Sequence, residues 1–166
     1  PAAFKKKLVS FYDAEKYLIY LESNQGNTKY DTYSTLIGAG AVATLTATAG
    51  NAFEQLEAFR ATHKDWMFGF LSYDLKNELE ELESKHQDIL EFPDMCFFVP
   101  ELVFEISERD VKVHTFISSQ TAVEQLIQNI DTHLICDLKT RDNKVILQAR
   151  DAKEDYLKKA QTFLDH

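Results

Sequence analysis

Cysteine is scarce in this chain, with only Cys96 and Cys136 among 166 residues. The two lie in separate strand-like stretches, so we expect free thiols in a reducing compartment rather than a disulfide framework. Long hydrophobic runs are also lacking. No stretch approaches the roughly 18 to 20 apolar residues of a membrane helix, and no signal-peptide apolar region follows the N-terminal lysines. We therefore predict a soluble, cytoplasmic protein without a membrane partner.

Basic charge is in short supply. Eighteen Lys and Arg stand against 27 Asp and Glu, for a formal net charge of −9. Such a chain repels polyanions, which argues against nucleic acid as a partner, and the cluster Lys5-Lys6-Lys7 is typical of a solvated helix face. The length and the 45% hydrophobic content fit one domain with a real core, and 12 Phe and 7 Tyr argue against disorder.

The sequence lacks the motifs of a self-contained active site. Gly38-Ala39-Gly40 precedes a Thr-rich segment instead of a helix, which indicates a turn between strands rather than a dinucleotide fingerprint. The five histidines are scattered without ligand spacing, and no serine occupies a Gly-x-Ser-x-Gly elbow. The acidic run Glu78 to Glu83 is typical of a solvated helix face. We predict no catalytic residue and no metal ligand here.

Helix starts are indicated by capping boxes, in which a short polar residue is followed three positions later by Glu. Amphipathic spacing follows each of three such pairs. The pairs are Asn51 with Glu54, Thr121 with Glu124, and Asp151 with Glu154. We also predict an N-terminal helix around residues 4–13 and a short helix after Asp74 with Leu75, Leu79 and Leu82 on one face.

Strand-like runs occupy much of the remaining chain. They are Tyr17–Leu21, Ser34–Ile37, Val42–Thr46, Trp66–Leu71, Cys96–Val99, Leu102–Ile106, Val111–Ile117 and Val145–Leu147. Leu102, Phe104 and Ile106 should form a dry face, with a hairpin at Glu108-Arg109-Asp110. Because strands and helices do not strictly alternate, we predict an α+β fold with mixed, largely antiparallel sheets in a sandwich and helices packed outside.

One polar loop could hold a small molecule. The strand ending in Glu22-Ser23 breaks into a loop that closes at Lys29-Tyr30-Asp31. A carboxylate, a hydroxyl and an ammonium converging at a strand end could bind the amino and carboxylate groups of a zwitterion. Ordinary polar turn residues are the alternative, and the spacing leaves it open.

Several motifs resemble a known family. They are Leu21-Glu22-Ser23, Lys29-Tyr30-Asp31, Phe68 to Asp74, Glu78, and the segment from Phe92-Pro93 to Pro100. On these residues the chain resembles the N-terminal domain of the chorismate-utilising component I enzymes. It is most similar to the aminodeoxychorismate (para-aminobenzoate) synthase branch and related to anthranilate synthase component I. We expect the distinctive block from Trp66 to Phe104 to be core and crossover structure.

The resemblance implies a division of labour. Residues 1–150 would be the component I N-terminal domain, and residues 151–166 would start the helix leading into a catalytic chorismate-binding domain that is absent here. In this family chorismate and Mg²⁺ bind in that catalytic domain, which uses ammonia from a glutamine amidotransferase subunit (component II). The N-terminal domain supplies a scaffold and a tryptophan pocket. Glu22 and Ser23 would meet the polar end of the amino acid, with Lys29 and Tyr30 nearby.

The implied function is the scaffold and tryptophan-pocket portion of an aminodeoxychorismate synthase component I, which aminates chorismate for folate synthesis. Two alternatives stay open: the N-terminal domain of anthranilate synthase component I with its feedback site, and a stand-alone amino-acid-binding domain. The chain departs from the family at Lys29, where Arg is usual, and at Gly38 to Ala41, where Asp-Pro is common.

Overall fold

The computed structural model describes residues 2–23, 33–80, 91–135, 149 and 151–165. Residues 1–135 form one compact unit and residues 136–166 form another. Cys136 and the predicted strand Val145–Leu147 lie outside the described residues.

Helices and strands are interspersed along the chain. In order they are α1 (Ala2–Phe11), β1 (Leu18–Glu22), β2 (Thr35–Ala39), β3 (Ala43–Ala47), α2 (Ala52–Thr62), β4 (Phe68–Leu71), a 3-10 helix (Tyr73–Glu78), β5 (Met95–Val99), β6 (Leu102–Ile106), β7 (Val111–Thr115), α3 (Gln120–Thr132) and α4 (Lys153–Leu164). Every predicted strand inside the described ranges matches an observed strand to within two residues at either end. The N-terminal helix is also confirmed, although it begins and ends two residues earlier than predicted.

Two sheets form the centre of the first unit. Sheet A has four strands in the order β1-β2-β6-β7, and sheet B has three in the order β3-β5-β4. Every strand pair in the described part of the chain is antiparallel. The predicted α+β fold built on antiparallel sheets is therefore confirmed.

Sheet A is covered on both faces, which explains why all five residues of β2 are buried. One face packs against α1 and α3 through a cluster that includes Leu8, Phe104 and Ile130. The other face packs on sheet B, where Val103 joins Phe68 in a second cluster. The predicted dry face of β6 is confirmed, but Val103 on its opposite face is buried too, because that face meets the second sheet.

Sheet B has its own outer layer. Ala47, Ala52, Leu75 and Met95 form a third buried cluster that joins α2 and the 3-10 helix to the sheet. Met95 is fully buried, and burial of a side chain of this size contributes about 1.5 to 3 kcal/mol. Helices thus lie outside both sheets, as the sandwich prediction requires.

The short helix expected after Asp74 is a 3-10 helix that ends at Glu78. Leu75 is buried as predicted, but Leu79 is 74% exposed, and Leu82 lies outside the described residues. The prediction of one apolar face over Leu75 and Leu79 was wrong because the 3-10 turn has three residues, which rotates position 79 away from the core.

The starts of α3 and α4 differ from the predicted capping boxes. Ser119 is the N-cap of α3, and its Oγ accepts the backbone N–H of Ala122 at 3.4 Å, so the assignment of Thr121 was wrong. The N-cap of α4 is Ala152 rather than Asp151, and it makes no side-chain cap. The apolar periodicity located both helices, but several polar residues within two positions of each start compete for the cap.

Candidate functional site

Glu22 is the last residue of β1 and lies opposite Thr35 of β2. Lys5 Nζ on α1 donates to Glu22 Oε1 at 2.6 Å, which ties the first helix to this edge of sheet A. The hydrogen bond from Lys5, followed by the nearby hydroxyl of Tyr20, holds the pKa of the Glu22 carboxyl below its usual range. An anionic side chain therefore stands at the end of β1 at neutral pH.

Thr35 gives this strand end an unsatisfied polar atom. Its side chain is only 1% exposed, and its Oγ1 forms no hydrogen bond of acceptable geometry in the part of the chain that the structure describes. The hydroxyl still lies near enough to the Glu22 carboxylate to favour its charged form. Buried hydroxyls rarely lack a partner, and the Glu22 carboxylate is the polar group nearest to this one.

Ser23 follows β1 and continues its pairing, since its backbone N–H donates to the carbonyl oxygen of Ser34 at 3.0 Å. Side chains alternate along an extended backbone, so Glu22 and Ser23 leave it toward opposite sides. One ligand would reach both side chains only at the open end of the strand. Lys29 and Tyr30 lie outside the described residues, and the four-residue pocket stays a prediction.

The Phe68-Gly69 pair in the distinctive block is explained by packing. Phe68 is buried between the two sheets, and its ring lies so close to Gly38 that a Cβ there would be 2.9 Å from it. A Cβ on Gly69 would overlap the carbonyl oxygen of Cys96 and lie 2.7 Å from the Cα of Phe97. Only glycine allows β4 and β5 to approach this closely.

Ser72 and Asp94 join the two ends of the crossing between β4 and β5. Ser72 donates twice to Asp94, from its backbone N–H to the carbonyl oxygen at 2.7 Å and from its Oγ to Oδ1 at 3.1 Å. The second carboxylate oxygen of Asp94 accepts the backbone N–H of Ala49 at 2.8 Å. These bonds anchor the crossing to the turn before α2.

Glu78 caps α2 from a distant part of the chain. Its carboxylate accepts the backbone N–H groups of Gly50 and Ala52 at 2.7 Å and of Phe53 at 3.4 Å. These backbone bonds, that of Ala52 first, hold the pKa of the Glu78 carboxyl below its usual range. Asn51 is the N-cap residue as predicted, but its side chain makes no cap. The prediction that Glu78 belongs to a solvated face was wrong.

The expectation for the block from Trp66 to Phe104 is confirmed for part of its described residues. Its buried apolar side chains lie in all three core clusters, but Phe70, Tyr73 and Phe92 are exposed. Its polar side chains Ser72, Glu78 and Asp94 bind backbone or one another. Distinctive sequence here reflects structural contacts.

Metal binding and membrane insertion have no support in the described ranges. No three His, Cys, Asp or Glu side chains in those ranges form a group that could hold a metal ion. None of the helices described is both long enough and apolar enough to span a bilayer.

Comparison with known proteins gives one positive finding. A family model described as chorismate binding enzyme matches residues 16–166. The match includes the end of β1, the block from Trp66 to Phe104, and α4. No curated protein matches the sequence significantly.

Proposed function

The chain belongs to the chorismate binding enzyme family, and we propose that it is the N-terminal portion of an aminodeoxychorismate synthase component I. That enzyme aminates chorismate to 4-amino-4-deoxychorismate for para-aminobenzoate and folate synthesis. The observation that carries the proposal is the family match over residues 16–166. The sequence Asp74-Leu75-Lys76-Asn77-Glu78 favours the folate branch over the tryptophan branch.

The role proposed for these residues is that of a scaffold. The contacts of Ser72, Glu78 and Asp94 support it, because each of these motif residues is engaged in holding α2 and the crossing in place. We assign chorismate and Mg²⁺ to a separate catalytic domain, and ammonia supply to a glutamine amidotransferase subunit. The described residues include no group of three His, Cys, Asp or Glu that could hold a metal ion.

The end of β1 is the proposed tryptophan pocket. Glu22 would accept the ammonium group of the amino acid and Ser23 would donate to its carboxylate, with Lys29 and Tyr30 completing the site. The depressed pKa of Glu22, which keeps this carboxylate charged at neutral pH, supports a cationic group as its partner here. Because Lys5 already binds Glu22, an incoming ammonium would have to share or displace that lysine.

The product formed from chorismate distinguishes the folate branch from the tryptophan branch. The full-length protein is incubated with chorismate, a magnesium salt and an ammonium salt, and the products are separated by chromatography. We expect 4-amino-4-deoxychorismate. Anthranilate as the sole product would contradict the folate assignment, and inhibition by tryptophan that disappears in Ser23→Ala would support anthranilate synthase component I instead.

Binding by the isolated chain tests the remaining alternative. Calorimetry of residues 1–166 with tryptophan would show strong binding if the chain were an independent amino-acid-binding domain. For a scaffold that shares its pocket with a catalytic domain, we expect weak binding or none.

A further inference from the structure

The edge of sheet B formed by β4 differs in composition from the other sheet edges. Edge strands usually carry charged or polar side chains, which discourage pairing with a further strand. Such residues are present in the other three edge strands of the described sheets: Lys112 and His114 in β7, Glu22 in β1, and two threonines in β3. β4 consists of Phe68-Gly69-Phe70-Leu71 and has no polar side chain. Among the described strands, none pairs with its outer side.

Both faces of β4 expose apolar side chains. Phe70 and Leu71 are successive residues of the strand, so they point to opposite faces of the sheet. Phe70 is 47% exposed and Leu71 is 50% exposed, whereas β5, which has a neighbour on each side, has no exposed residue. A strand added beside β4 would therefore cover apolar surface on both faces at once.

Backbone donors of β4 also point to its outer side. The N–H of Ser72 donates to the carbonyl oxygen of Asp94, on the side of β5, at 2.7 Å. Because N–H groups alternate in direction along a strand, that of Phe70 points toward β5 as well, and those of Gly69 and Leu71 point outward. The edge thus presents two donors that an added strand can bind.

Two aromatic side chains continue the apolar surface beyond the end of β4. Tyr73 follows Ser72 and is 82% exposed, and Phe92, two residues before Asp94, is 70% exposed. Nζ of Lys76 lies 4.9 Å from the centre of the Tyr73 ring, so a cation borders this surface, as is common at the rim of an interface. The β4 patch is defined as the exposed side chains of Phe70, Leu71, Tyr73 and Phe92.

The size and charge of the molecule favour a partner in the same polypeptide over a second copy. For side chains of this size, the exposed fractions of the β4 patch correspond to roughly 400 to 600 Å². A stable interface between separate proteins needs about 800 Å² from each partner. Two copies with a net charge of −9 each would also repel one another. A tethered domain can dock on a smaller surface because its local concentration is high.

We propose that the outer side of β4 pairs with a strand of the catalytic domain, so that sheet B continues from one domain into the other. The inference rests on the proposed function, which assigns such a domain to the same polypeptide. The added strand would accept the N–H groups of Gly69 and Leu71. Apolar side chains of that domain would cover the β4 patch.

Hydrogen exchange at single-residue resolution tests this pairing in the wild-type sequence. In the full-length protein, we expect the N–H groups of Gly69 and Leu71 to exchange at least about tenfold more slowly than in residues 1–166. The N–H of Phe70 points toward β5 and is the internal control, which should be protected in both. Equal exchange of Gly69 and Leu71 in the two proteins would overturn the proposal. Protection in residues 1–166 that rises with protein concentration would also overturn it, because a second copy would then cover the edge.

A pair of Phe→Lys variants tests the β4 patch itself. Phe92→Lys should leave the melting temperature of residues 1–166 within about 1 °C of the wild type, because the side chain is exposed there. In the full-length protein it would bury a charge, and we expect a fall of about 3 °C or more. Phe116→Lys changes an exposed phenylalanine next to β7 and should have no effect in either protein. Equal falls for both full-length variants would mean that the β4 patch is not the docking surface.

The chorismate assay separates failure of this pairing from failure of the proposed function. If the full-length protein forms 4-amino-4-deoxychorismate while Gly69 and Leu71 exchange freely, the pairing is wrong and the proposed function stands. If both N–H groups are protected in a full-length protein that does not aminate chorismate, the proposed function is wrong, whereas strand pairing at β4 is supported.

Discussion

The signature block from Phe68 to Glu78 and the end of β1 both carry family motifs, but their glutamates are ionised for different reasons. Glu78 is bound by three backbone N–H groups of the α2 start, which cannot leave without unfolding the helix. Glu22 is bound by one side chain, that of Lys5. A carboxylate held by backbone amides serves the fold, whereas one held by a single side-chain ammonium can change its partner without the loss of a helix.

Gly69→Ala is the substitution expected to have the largest effect, because the new Cβ would strike the backbone of β5. We expect a loss of about 3 kcal/mol or more in the free energy of unfolding, measured by chemical denaturation. Gly38→Ala is the matched control. Its Cβ would meet the ring of Phe68 at 2.9 Å and Cγ2 of Ile19 at 3.2 Å. Both are side chains, which can shift, so its loss should be smaller. Equal losses would contradict the packing role given to the signature block.

Glu78→Gln comes next, because it removes the charge that binds the start of α2. We expect the melting temperature to fall by about 3 °C or more. The matched control is Glu54→Gln, which changes the glutamate of the predicted capping box. Since the structure caps α2 with Glu78, the control should melt within about 1 °C of the wild type. A larger fall in melting temperature for Glu54→Gln than for Glu78→Gln would mean that the local box of Asn51 and Glu54 caps α2 instead.

The pH dependence of stability tests whether the charge of Glu78 is what stabilises the start of α2. A carboxyl whose pKa is lower in the folded state stabilises the fold above the ordinary glutamate pKa of about 4.3, and the stabilisation is lost as the pH falls through the lower folded value. The pKa of Glu78 is lowered in this way. Melting curves at several pH values should therefore show a difference between wild type and Glu78→Gln that is greatest at neutral pH and shrinks below about pH 4. A constant difference would mean that the charge of Glu78 is not responsible.

Lys5→Met should have the smallest effect on stability, because an ion pair that is partly open to solvent contributes little. Its effect on tryptophan binding tests the pocket proposed at the end of β1. If Glu22 receives the ammonium group of tryptophan, removal of the competing lysine should raise the affinity of the full-length protein for tryptophan about two- to fivefold in calorimetry. Lys6→Met changes an exposed neighbour on α1 and should leave the affinity unchanged. A weaker affinity of Lys5→Met for tryptophan would mean that Lys5 helps to bind the amino acid and does not compete with it.

Local patterns in the sequence were sufficient for most of the fold. Alternation located β6 exactly over Leu102–Ile106 because one face of that strand is apolar throughout. The burial of Val103 could not be foreseen in the same way, since it depends on a second sheet formed by residues far away in the chain.

The contacts of the candidate sites depend on distant residues too. Glu78 lies 26 positions from Ala52, whose N–H it accepts, and no spacing rule links them. A cavity of about 340 Å³ brings Trp66 together with Pro100 and His114 from other segments. The sequence placed Glu22 and Ser23 at a strand end correctly, but the ion pair from Lys5 required the packing of α1 on sheet A.

The most direct test of the proposed division of labour compares residues 1–166 with the full-length protein in one chorismate assay containing magnesium and ammonium salts. The account predicts that residues 1–166 leave chorismate unchanged and that the full-length protein forms 4-amino-4-deoxychorismate. Consumption of chorismate by residues 1–166 alone, or anthranilate as the only product of the full-length protein, would contradict it.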